Sequence, residues 1–68
     1  MKLYRMITGP DDSSFCHRIS KALSNGWQVS GSASLTFDAN TGRIVCGQAI
    51  TKDIPDHDYS AYLTLSDF

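Results

Sequence analysis

The chain has no glutamate, and its seven aspartates are balanced by six lysines and arginines, for a net charge of -1 over 68 residues. No broad basic field exists to attract DNA or anionic lipid, so nucleic acid and membrane surfaces are not expected partners. Only two cysteines are present, Cys16 and Cys46, too few for the disulfide framework of small secreted domains. A reduced, intracellular setting is expected. Long apolar runs are missing, and the opening MKLYRMITG lacks the apolar core of a signal peptide, so the expectation is a cytoplasmic protein. Repeats, low-complexity stretches and glycine-rich nucleotide loops are absent as well. Sixty-eight residues allow one domain with a marginal core, which makes a homo-oligomer the expected state.

What the chain does contain is an uninterrupted alternation. From Trp27 to Asp38, one parity carries Trp27, Val29, Gly31, Ala33, Leu35 and Phe37, and the other carries Gln28, Ser30, Ser32, Ser34, Thr36 and Asp38. Period two predicts a single half-buried strand with an apolar face and a row of hydroxyls. Residues Lys2 to Thr8 read as an earlier strand. Gly9-Pro10-Asp11-Asp12 combines a turn with helix-start chemistry, since aspartate caps free N–H groups at the positive end of the helix dipole. A helix then runs to about Ser24, with Phe15, Cys16, Ile19, Ala22 and Leu23 on one stripe, and Asn25-Gly26 ends it. Asp38 to Gly42 has the composition of a hairpin loop. The last strand, Arg43 to Lys52, is apolar or small on both parities except at Gln48, so it should be central.

The predicted fold is α+β: a small two-layer β-α-β-β split unit, with one helix on a three-stranded sheet whose third strand is central. Residues 1–52 form this domain. Residues 53–68 carry four aspartates and no lysine or arginine, yet keep Ile54, Tyr59, Tyr62, Leu63, Leu65 and Phe68. Such an aromatic segment is expected to dock, on the uncovered sheet face or on a neighbouring subunit.

Tyr4-Arg5, Ile7 to Asp12, Phe15 to Arg18, Gly26-Trp27, Leu35 to Phe37 and Cys46 to Ala49 together give a specific combination of motifs. Over Met1 to about Lys52 the chain resembles a family of small bacterial and viral proteins, the domain of unknown function one-seven-three-seven. The resemblance implies a compact α/β domain, free-standing or at the front of a longer chain. It implies no activity and transfers no catalytic residue.

The residue types best suited to a small ligand with a ring and a phosphate or carboxylate are Arg5, Arg18, Trp27, Gln48, Tyr59 and Tyr62. Arginine offers a planar fork, and indole and phenol offer stacking faces. Arg5 and Gln48 stand out because each breaks an otherwise apolar strand parity, and neighbouring first and third strands would set them on one face, opposite the helix or beneath a partner. No catalytic constellation is expected: both cysteines fall on predicted core faces. Cys16, His17, Cys46 and His57 lack the paired spacing of a zinc site, so neither metal nor cofactor is called for. The helix start at Thr8-Gly9-Pro10 is blocked for phosphate by Asp11 and Asp12.

The reading that follows is a non-enzymatic, homo-oligomeric binding module. Its ligand would be small and nucleotide-like, bound or sequestered at a subunit interface, an idea that leans on the viral members of the resembled family. The alternative is a protein–protein adaptor using the C-terminal segment or an edge strand. An enzyme using one of the thiols with a histidine ranks last.

Overall fold

A computed structural model describes residues 1–68, arranged as β1 (Lys2–Pro10), α1 (Ser13–Ser24), β2 (Gln28–Val29), β3 (Ser34–Asp38), β4 (Arg43–Asp53) and a terminal 3-10 turn (Leu65–Asp67). The fold is α+β, one helix on an antiparallel sheet. β4 is central. Along one side it pairs with all of β1, and along the other with β2 and then β3. Both β1 and β2 are therefore antiparallel to β4 and parallel to each other, which is the split arrangement.

The sheet has four strands rather than the three expected, because the alternating segment breaks. Val29 pairs with Ile50 and Ser34 with Gly47, so four residues on one side span two on the other. Ser30 to Ala33 form a two-residue bulge, with Gly31 at φ +74° where an L side chain would be strained. An insertion of two preserves side-chain parity. Val29, Leu35 and Phe37 thus stay on the same face as Ile44, Cys46, Gln48 and Ile50.

The helix forms where its signals place it. Asp12 is the N-cap and accepts from the Ser14 amide at 2.9 Å. At the other end Gly26 N donates to Leu23 O and Trp27 N to Ala22 O, both at 3.1 Å, with Gly26 at φ +94°. That is a Schellman closure, and it ties the first residue after the helix to its last turn. Phe15, Ile19 and Ala22 face the sheet, where Leu3, Ile7, Ala22, Trp27 and Ile50 make the core. Cys16 and Leu23 do not join them. Both are exposed, which corrects the expectation of a buried Cys16.

The C-terminal segment packs back on its own chain, with Ile54, Leu65 and Phe68 against the helix-side core. Lys52 Nζ anchors it by donating to the oxygens of Asn25 (2.5 Å) and Phe68 (3.0 Å), so one ammonium caps both the helix end and the tail. The opposite sheet face, with Tyr4, Met6 and the Ser34–Thr36 hydroxyls, stays open. The expected cover over that face of the central strand is absent from the single chain. The apolar parity is not dry throughout either: Trp27 is 3% exposed, whereas Leu35 is 66% and Phe37 64% exposed. A helix of 12 residues spans about 18 Å, and the 11 residues of β4 run to roughly 36 Å. The tip of the β3–β4 hairpin projects beyond it.

Candidate functional site: a basic cleft beside α1

Three of the expected ligand residues meet in one place. Arg5 and Ile7 of β1, Arg18, Lys21 and Ala22 of α1, Asn25, Trp27, and Ser66 and Phe68 of the tail line a cleft of about 220 Å³. Helical spacing puts Arg18, Lys21 and Asn25 on one flank of α1, facing β1. The Schellman closure holds Trp27 at its floor. The Arg5 guanidinium lies over the indole, 5.8 Å from the ring centroid, within cation–π range. Arg18 Nη1 donates to Thr8 O at 2.7 Å, which braces the guanidinium against β1 while its other N–H groups remain available.

None of Arg5, Arg18 and Lys21 forms an ion pair with a carboxylate. Three cations around an indole and the Phe68 ring make a site for an anion with a flat ring. The volume is below the roughly 300–1,000 Å³ of drug-sized pockets, so a ligand as large as a mononucleotide would lie partly outside the cleft. A wider depression of about 680 Å³ lies at the hairpin end, but its one cation, Arg43, sits across the ladder from Asp38. It carries no unbalanced charge.

The remaining expected residues lie elsewhere. Gln48 shares the helix-side face with Arg5, which corrects the expected position opposite the helix. It is buried across α1 from the cleft, and its Nε2 donates to Ala49 O (2.9 Å), Gly31 O (3.3 Å) and Ser30 O (3.4 Å). The last two are bulge carbonyls, so Gln48 holds the strand break. Tyr59 and Tyr62 point to solvent from the tail, 69% and 97% exposed. Lys21, Asn25, Ser66 and Phe68 escaped sequence reasoning. Lys21 was legible as the residue three after Arg18, on the same flank; the tail residues had no sequence signal placing them there.

The thiols do not converge on the cleft. Cys46 is buried with its Sγ 3.7 Å from Asp11 Oδ1, and burial, followed by the Asp11 carboxylate, pushes its pKa up. A thiol so placed stays protonated and is a poor nucleophile. No helix is long and apolar enough to cross a membrane.

The fold and cleft define a small α+β domain with a basic recess beside its helix. Residues 1–53 match the family model described as Domain of unknown function (DUF1737), and the chain belongs to that family. No curated protein and no solved structure matches it.

Proposed function

We propose that the protein is a non-enzymatic binding module, working as a small homo-oligomer, that takes a small anion with a flat, nucleotide-like ring in the cleft between β1, α1 and the tail. The observation that carries this reading is the convergence of Arg5, Arg18 and Lys21 around Trp27, with no side-chain carboxylate in the lining and no ion pair to any of the three. The cleft is built within one chain, so a second subunit would adjoin the ligand rather than complete its site. Trp27 is the single tryptophan and reports directly on the cleft. Titration with adenosine monophosphate should change its fluorescence, with adenosine and inorganic phosphate each binding more weakly. Arg18→Ala should weaken binding by about tenfold or more, as expected for a lost charge-assisted hydrogen bond. An unchanged signal up to millimolar nucleotide, or equal affinity in Arg5→Ala and Arg18→Ala, would overturn it.

The adaptor reading is supported by one observation, the outward Tyr59 and Tyr62. Removing residues 54–68 would abolish partner capture under that reading.

A further inference from the structure

The chain is longer than a compact domain of its size. Its radius of gyration is 13.6 Å and its longest extent 44 Å, against about 11 Å for the radius of a compact chain of this length. The long β3–β4 hairpin contributes to that length. It carries Leu35, Phe37 and Ile44 at 66%, 64% and 46% exposure, all on the helix-side face. Only seven residues of the whole chain are buried. Three large apolar side chains on one face of this hairpin are thus left in water.

The two edges of the sheet differ. β1 carries Lys2, Arg5 and Pro10, and Arg18 occupies its Thr8 carbonyl; charge, proline and a capped acceptor are the usual protections of an edge strand. β3 reads Ser-Leu-Thr-Phe-Asp, with its outer edge unpaired and no lysine, proline or internal bulge. Its polarity pattern is also symmetric about Thr36. An antiparallel copy centred there sets Leu35 against Phe37 twice on one face. On the other face Thr36 meets Thr36, and Ser34 meets Asp38. No like charges oppose each other, and each Asp38 keeps Arg43 of its own chain beside it in the ladder.

We infer that β3 is a homodimerisation edge: two copies pair Ser34–Asp38 antiparallel about Thr36, joining their sheets into one. This deepens the homo-oligomer part of the reading above and is independent of the cleft. A monomer that still bound nucleotide would remove the interface and leave the cleft standing. The partner's exclusion of water from the strand edge, Leu35 and Phe37 amounts to roughly 400–500 Å² per protomer, at the lower limit of a specific interface. Because α1 sits over β1, the contact is made by strands alone. Dissociation in the tens of micromolar is expected of so small an area.

Sedimentation equilibrium of the whole chain over about 5–500 µM tests this, since the range brackets that constant. Dimerisation should appear, and Phe37→Asp should weaken it by about tenfold or more, with the fold checked by Trp27 emission. A second measurement covers a variant that fails to fold. In a Cys16→Ser background, Thr36→Cys should give a rapid intermolecular disulfide, because directly opposed Cβ atoms lie within bridging range. Thr8→Cys on the β1 edge should not. A monomer across the whole range, a dimer undisturbed by Phe37→Asp, or equal cross-linking at positions 8 and 36 would overturn the inference.

Discussion

Replacing Gln48 by methionine tests how the strand break is held. The side chain is 8% exposed, and its amide donates to the carbonyls of Ser30, Gly31 and Ala49. Methionine keeps the length and most of the volume but donates nothing. The two bonds to the bulge are long, at 3.3 and 3.4 Å, so each is worth the lower part of the usual net hydrogen-bond range, and the total loss is about 1–2 kcal/mol. A domain of this size has roughly 3–10 kcal/mol of stability, which makes the loss easy to measure. It corresponds to a fall in Tm of roughly 4–16 °C. Urea unfolding followed by Trp27 fluorescence should show a lower midpoint with an unchanged slope. Gln48→Glu sharpens the test. A carboxylate there faces three carbonyl oxygens without a donor, so its folded pKa should rise above the unfolded one. Its stability should then be nearest to wild type in acid and should fall as pH rises through that window, dropping below Gln48→Met at neutral pH. A methionine variant as stable as wild type, or a glutamate variant tolerated at neutral pH, would refute the assignment of Gln48 to the bulge.

Two other outcomes follow from the caps and thiols. The hydrogen bonds from Ser14 hold the Asp12 carboxyl below the usual carboxylate range. The cap therefore supports the fold above the ordinary aspartate pKa and is lost as pH falls through the lowered value. Asp12→Ala should reduce Tm at neutral pH, and its difference from wild type should vanish in strong acid; a difference independent of pH would contradict this. A disulfide reagent should label exposed Cys16 at least about tenfold faster than buried Cys46, with urea abolishing the gap. Fast native labelling of Cys46, read by mass spectrometry, would contradict its placement beside Asp11.

Sequence patterning reached the elements whose causes are local. Asp12, Asn25 and Gly26 mark the helix ends because capping involves neighbours in the chain, and β4 is legible as central because both of its parities are apolar or small. The grouping of Arg5, Arg18 and Trp27 was legible as chemistry, and the register then supplied the proximity. The bulge was not legible. A two-residue insertion returns every side chain to its original face, so the alternation from Trp27 to Asp38 runs through the break without an error. Gly31 was the sole local sign, since its positive φ is a backbone requirement that parity cannot express. Gln48 was misplaced for the same reason: a polar residue on an apolar parity looks like a ligand contact until the carbonyls it serves are known to have left the ladder.

The exposed half of the alternation carries a further consequence. Trp27 and Phe37 occupy equivalent parities of one pattern, yet the first lies under the helix end and the second in water. The difference comes from where α1 lies: it packs over β1, so residues on the β2–β3 side stay exposed even where their central-strand partners are buried, as Val29 beside Ile50 and Leu35 beside Cys46. An apolar parity therefore records that burial is favourable at every one of its positions, without recording what does the burying. Where the chain's own helix reaches, the occupant is Ala22 or Ile19. Beside it, the same hydrophobic term acts on Leu35 and Phe37, which stay exposed in the single chain. The free energy left unrealised at the hairpin is available only to association, and the open edge of β3 is where a second strand would collect it.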